Sequence, residues 1–159
     1  MAITYTQTRQ RLINPLEIMQ KRKTAVQFIK YVMVGCLNTA ITLGVIFVCK
    51  SLLNINPYIA NALGYIAGLI NSFIWNKNWV FKSQKGYSRE AVKFIVGFGI
   101  CYGLQFLVVY LLNSTQFGAY QWVILGGFTL SGYGVATLLG NVVYTLANFA
   151  YNRLITFKQ

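Results

Sequence analysis

Lys77 and Arg153 stand at matching places in two copies of one short signature. Asn71 to Lys82 reads NSFIWNKNWVFK, and Ala147 to Lys158 reads ANFAYNRLITFK. A shift of 76 places carries Phe73 onto Phe149, Asn76 onto Asn152, Lys77 onto Arg153, Phe81 onto Phe157 and Lys82 onto Lys158. In each copy an apolar run ends in an amide followed by a cation. A cation at that position can capture a phosphate, arginine through two parallel N–H donors. It can equally anchor a helix end by reaching for lipid head groups. Further polar, neutral side chains lie within the apolar runs: Asn38, Thr39, Asn61, Asn71, Ser72, Gln105, Asn141 and Asn148. Each amide offers two donors and an acceptor, the complement of sugar hydroxyls. Such residues also serve as hydrogen bonds between helices, worth ~0.6 kcal/mol each on average.

Other chemistries lack their residues. Glu17 and Glu90 are the only carboxylates, both placed outside the expected spans, and there is no histidine or aspartate. General acid–base work has no obvious player, which argues against an enzyme of the hydrolase or transferase kind. Cys36, Cys49 and Cys101 all fall in apolar stretches, so they read as buried small hydrophobes, and no metal or cofactor is expected. A proton-coupled exporter normally carries a titratable group within the membrane, and none is expected here.

The elements that must position these residues are membrane helices. The chain of 159 residues is 56% hydrophobic and only 10% charged, against roughly 25% charged in soluble domains. Four apolar stretches reach the ~20 residues needed to cross a bilayer core. The spans are expected at about 29–49, 57–76, 92–112 and 131–152. Asn56 and Pro57 mark the start of the second. Within it Ala60, Gly64, Gly68 and Ser72 recur every four residues, a spacing that lets helix backbones approach closely in lipid. Residues 1–27 form a basic tail. Its first thirteen residues are expected to be loose. Asn14-Pro15 then opens a short helix on the membrane surface, with a basic cluster at Lys21, Arg22 and Lys23. A disordered tail fits the same residues. The uncharged stretch 113–130 is a loop, a re-entrant segment around Trp122 to Phe128, or an early start of the fourth span.

Net charge is +12. Its placement points to anionic head groups rather than nucleic acid. Basic residues crowd the N-terminal flank, the middle loop at about 77–91 and the C-terminus, while the other two connections hold only Lys50. The positive-inside rule then puts both termini and the middle loop in the cytoplasm. Ser83 and Lys85 are expected to be solvent-facing positions of that loop. The expected fold is an all-α membrane protein of four transmembrane helices within residues 28–158. They form two hairpins, about 28–82 and 92–158, repeated in parallel orientation.

The segments FIKYVMVGCLNTAI (28–41), ANALGYIAGLINSFIWNKNWVF (60–81) and NFAYNRLITF (148–157) resemble the GtrA-like family over about residues 26–158. The specific parts are Gly35-x-x-Asn38-Thr39 and the two span ends, with Ser72 where the family usually has asparagine. The resemblance implies four spans in a bacterial cytoplasmic membrane and work on cell-surface polysaccharides. It further implies translocation of a polyprenyl-phosphate-linked monosaccharide to the outer leaflet, where a separate glycosyltransferase uses it. Lys77 and Arg153 would then hold the phosphate, and Asn38, Asn76, Asn148 and Asn152 the head group. A membrane anchor that recruits the glycosyltransferase without transporting is the alternative. The expected partners are the sugar lipid, membrane lipids, a glycosyltransferase and further copies of the chain.

Overall fold

The computed structural model describes residues 2–115, 120–124 and 128–158. It divides into two compact units, Met1–Lys82 and Ser83–Gln159, and the division falls between the two repeat halves read from the sequence.

The first unit is a helical hairpin. Helix α1 (Ala2–Phe47) runs on through a π-helical turn, Val48–Leu52. Asn54 then turns the chain with φ 52°, a left-handed position that asparagine tolerates better than most residues. Helix α2 (Pro57–Trp75) starts where Asn56 and Pro57 predict. The Asn56 side chain accepts from Tyr58 N at 2.9 Å, and proline occupies the first turn, where its missing N–H costs nothing. At its far end α2 widens into a second π-helical turn, Asn76–Val80.

The second unit repeats the plan. Helix α3 (Tyr87–Asn113) is followed by two short antiparallel strands, β1 (Gln121–Ile124) and β2 (Phe128–Ser131). Their register pairs Gln121 with Ser131 and Ile124 with Phe128. Helix α4 (Gly132–Tyr151) is capped by Ser131, whose hydroxyl accepts from Gly134 N at 3.1 Å. It too ends in a π-helical turn, Asn152–Thr156. The shift of 76 places carries the end of α2 onto the end of α4, and one terminal π-turn onto the other.

Two expectations need correction. Residues 2–13 are not loose, and no helix begins at Asn14-Pro15: α1 starts at Ala2 and carries Pro15 inside it. Nor does the fourth span start early. The stretch placed between the third and fourth spans holds the β1–β2 hairpin, and α4 begins only after it. The physical reason is local: QWVI and FTLS are rich in strand-forming residues and flank a Gly-Gly pair in the sequence. Among the described residues, the regular elements are thus helices apart from one hairpin. Three helical stretches among the described residues are long and apolar enough to cross a membrane: Glu17–Leu52, Pro57–Val80 and Tyr87–Asn113. The fourth helix, α4, has 20 residues, about 30 Å at 1.5 Å per residue.

Each hairpin is pinned along its length by equivalent contacts. In the first unit, a Cβ added at Gly64 would lie 2.6 Å from Ile46 Cγ1 and 2.9 Å from the Thr42 carbonyl oxygen. In the second, a Cβ at Gly140 would lie 2.7 Å from Val109 Cγ2 and 3.3 Å from Gln105 Cγ. Thr42 and Ile46 map onto Gln105 and Val109 by the shift that carries Lys30 onto Lys93. Gly68 likewise abuts the Thr42 side chain, and Gly97 abuts the Tyr151 ring. Ala60 and Ala136, also equivalent, are both fully buried. The small-residue stripe on α2 therefore packs helix against helix, as its spacing predicts. The outward faces stay apolar and exposed, for example Ile66 and Ile70 on α2 and Phe106 and Tyr110 on α3, as lipid contact requires.

Candidate functional site

The polar end of each hairpin lies at its terminal π-turn. In the first unit α2 delivers Asn76 and Lys77 there, 1% and 2% exposed. The Asn76 Nδ2 donates to the Ser72 carbonyl at 2.8 Å and to Ser72 Oγ at 3.2 Å. Its Oδ1 is buried without a hydrogen-bond partner among the described residues. Aromatic and cationic side chains close this end. Lys30 Nζ sits 5.0 Å from the centre of the Trp79 ring, within cation–π range. Trp79 meets Trp75 edge-on at 5.8 Å, and Tyr31 meets Phe81 at 6.5 Å.

The second unit rebuilds this end with different groups. Asn152 is fully buried, while Arg153 beside it is half-buried. The Asn152 Nδ2 donates to Asn148 Oδ1 at 3.1 Å, and the Asn148 Nδ2 donates to the Tyr144 hydroxyl at 3.1 Å. Asn152 Oδ1 and Thr156 Oγ1 are buried with no hydrogen-bond partner among the described residues. Phe94 meets Phe157 at 6.1 Å, as Tyr31 meets Phe81 in the first unit. Lys93, the counterpart of Lys30, reaches the Ile155 carbonyl at 3.5 Å.

Of the six residues singled out from the sequence, Asn76 and Lys77 share one turn. Asn152 and Arg153 share another, and Asn148, four places earlier on α4, accepts from Asn152. Asn38 is held apart from the first turn. It is half-buried on α1 and accepts from Asn71 Nδ2 at 2.6 Å, so its visible role is to tie α1 to α2. Gln105 and Asn141 make the comparable tie between α3 and α4 at 2.8 Å.

Sequence reasoning missed Tyr144 and Thr156, although both keep the four-residue spacing of Asn148 and Asn152. It also missed the surroundings of Glu90. That carboxylate lies in the first turn of α3, not in a loop, and is 2% exposed. It accepts from Ser83 Oγ, and a negative charge suits the start of a helix. Ser83 is accordingly buried, not a solvent-facing loop position. Lys85 is exposed but not free in water, since its Nζ donates to the Lys158 carbonyl.

A buried acceptor left without a donor costs roughly 1–3 kcal/mol. The two terminal π-turns carry three such oxygens, each able to take a hydroxyl hydrogen. Beside them stand Lys77 and Arg153. Amide and hydroxyl acceptors next to a cation are what a phosphorylated, hydroxyl-bearing head group would require.

The long apolar helices, lipid-type outer faces and glycine-packed seams define a multi-pass helical membrane protein. Residues 30–157 match the family model described as GtrA/DPMS, transmembrane domain, and the chain belongs to that family. Among its relatives, the uncharacterized membrane protein YngA of Bacillus subtilis (strain 168) is 29% identical over 129 residues. That match covers 80% of this chain and 77% of the relative. The cell wall teichoic acid glycosylation protein GtcA of Listeria innocua is 26% identical over 136 residues, covering 80% and 82%. GtcA of Listeria monocytogenes is 26% identical over 132 residues with the same coverage.

Proposed function

We propose that this protein moves a polyprenyl-phosphate-linked monosaccharide across the bacterial cytoplasmic membrane, from the inner to the outer leaflet, to glycosylate a cell-surface polysaccharide. All four helices span the bilayer in this reading, and both termini and the segment around 77–91 are cytoplasmic. The carrying observation is the repeated π-turn: a buried asparagine whose side-chain oxygen has no hydrogen-bond partner among the described residues, followed in sequence by a cation, at the end of each hairpin.

The physical problem is desolvation. A sugar hydroxyl taken into hydrocarbon without a partner costs on the order of 4 kcal/mol, so a monosaccharide does not cross bare lipid quickly. Buried amide oxygens offer replacement acceptors. The lipid tail stays in the bilayer, Lys77 and Arg153 take the phosphate, and Asn76, Asn148 and Asn152 take hydroxyls. Asn38, bonded to Asn71, lines the deeper part of the route. No bond in the substrate is made or broken. Membership of the family and the similarity to GtcA, a cell wall teichoic acid glycosylation protein, support a wall or surface polymer as the destination of the sugar. A separate glycosyltransferase would complete the transfer.

The test is a scrambling assay. The purified full chain is reconstituted in liposomes with fluorescent polyprenyl-phosphate-glucose, and an impermeant reagent reports the fraction exposed outside. Exposure should rise well above the rate in protein-free liposomes. Identical rates with and without protein would refute transport.

A further inference from the structure

The two halves share a plan but not their polar content. Residues at four-residue spacing along α2 and its terminal π-turn are Gly68, Ser72, Asn76 and Val80. Their counterparts along α4 are Tyr144, Asn148, Asn152 and Thr156. In the first half the side chains of that row make one mutual bond, Asn76 to Ser72. In the second they form a chain, Asn152 to Asn148 to Tyr144, each link 3.1 Å. Thr156 extends the row, and two buried oxygens in it, Asn152 Oδ1 and Thr156 Oγ1, have no hydrogen-bond partner among the described residues. Asn148, Asn152 and Thr156 are 5%, 0% and 2% exposed. From Tyr144 to Thr156 the row rises roughly 18 Å.

We propose that this row on α4, and not its counterpart on α2, reads the sugar, that the sugar is a neutral, hydroxyl-rich monosaccharide, and that Tyr144 and Thr156 set the preference for it. The inference rests on the function proposed above. None of the row's four residues carries a charge. Its buried atoms without a hydrogen-bond partner among the described residues are an amide oxygen, which accepts only, and a hydroxyl, which accepts and donates. Sugar hydroxyls complement both. The carboxylate of an acidic sugar would face the amide oxygen as a second acceptor and be repelled. On α2, Gly68 and Val80 offer no polar side-chain atom at the equivalent places, so that row cannot follow a ring with several hydroxyls.

Native mass spectrometry of the full chain in detergent tests this with two probes, polyprenyl-phosphate-glucose and unglycosylated polyprenyl phosphate. The wild-type protein should retain the glucose-bearing lipid in preference to the bare one. Thr156→Val and Tyr144→Phe remove one hydroxyl each at nearly constant shape. Each should lower that preference about fivefold and leave retention of the bare lipid unchanged. Thr156→Ser, which keeps the hydroxyl, should restore it, and Val80→Thr on the other row should not alter it. Thermal melting of each variant separates a folding defect from a recognition defect. Unchanged preference in both Thr156→Val and Tyr144→Phe, in a protein that still scrambles the sugar lipid, overturns the role of the row and leaves the transport reading standing. A wild-type protein that neither scrambles the lipid nor prefers its sugar overturns both.

Discussion

Replacing Gly64 by alanine should damage the first hairpin, while the same change at Gly44 should not. Both glycines lie in helices of one unit, so both substitutions gain the helix propensity of alanine over glycine, about 1 kcal/mol. They differ in what the new methyl meets. At Gly44 nothing lies within 4 Å. At Gly64 the methyl would sit 2.9 Å from the Thr42 carbonyl oxygen and 2.6 Å from Ile46 Cγ1. The first of these is backbone, so relief requires α1 and α2 to move apart rather than one side chain to rotate. Overpacking of this kind costs about 1–3 kcal/mol. Gly44→Ala should then be neutral or slightly stabilising, and Gly64→Ala destabilising. The gap between them, from which propensity cancels, should be about 2 kcal/mol, more than a tenfold change in the unfolding equilibrium. Equilibrium unfolding by SDS in bicelles, followed by tryptophan fluorescence, measures both variants. Equal midpoints for Gly64→Ala and Gly44→Ala would refute the close α1–α2 seam.

Charge removal should separate the two cations from each other as well as from a control. Lys77→Gln and Arg153→Gln should each slow scrambling about tenfold or more, as loss of a charge-assisted bond implies, whereas exposed Lys50→Gln should not. Lys77 is the more deeply buried, so Lys77→Gln should also lower the unfolding midpoint; Arg153→Lys should be partly impaired for want of the planar fork. Equal scrambling by all the glutamine variants at matched protein levels would remove the phosphate site. A double-mutant cycle on Asn38→Ala and Asn71→Ala, read by SDS unfolding, should give a coupling of about 0.6 kcal/mol and at most ~1.7; zero coupling would deny the bond its role. For topology, Gln84→Cys is the suitable probe in a background lacking the native cysteines, because Gln84 is exposed and Ser83 is not. It should resist an impermeant maleimide in intact cells, and external labelling would overturn the cytoplasmic placement of that segment.

Much of the framework was legible because membrane helices are long and their ends are marked. Asn56-Pro57 placed the start of α2, and the repeated signature placed the ends of both α2 and α4. The seam glycines at 64 and 68 showed in their spacing. What escaped depended on pairing across a hairpin or on competition between local preferences. The match of Thr42–Gly64 with Gln105–Gly140 appears only once each pair of helices is aligned in space. The β1–β2 hairpin escaped because WVI and FTL are as apolar as a membrane segment, and hydropathy does not distinguish strand from span in so short a run. The extent of α1 escaped because residues 2–13 carry no apolar stripe, yet nothing among them stops a helix. Among the site residues, type and place identified the amides and cations. Burial could not be read, so Lys77 and Arg153 looked alike, as did Ser83 and Lys85. Nothing in the sequence marked Thr156 as buried.

The terminal π-turns have a consequence best seen as an angle. An α-helix advances about 100° per residue, so a residue five places on sits about 140° around the axis. A turn closed by i→i+5 bonds advances roughly 80° per residue and brings that residue back to within about 40°. Here Phe81 N bonds the Asn76 carbonyl at 2.9 Å, and Phe157 N bonds the Asn152 carbonyl at 2.8 Å. That rotation lets an asparagine and the phenylalanine five places later turn inward together, and all four of these side chains are buried. With an unbroken α-helix, either the amide or the ring would face outward. A single residue inserted between Asn76 and Val80, or between Asn152 and Thr156, would therefore carry the ring roughly 80–100° further around and out of the core, whereas a single deletion would leave an α-helix with the ring four places on, again about 40° from the amide.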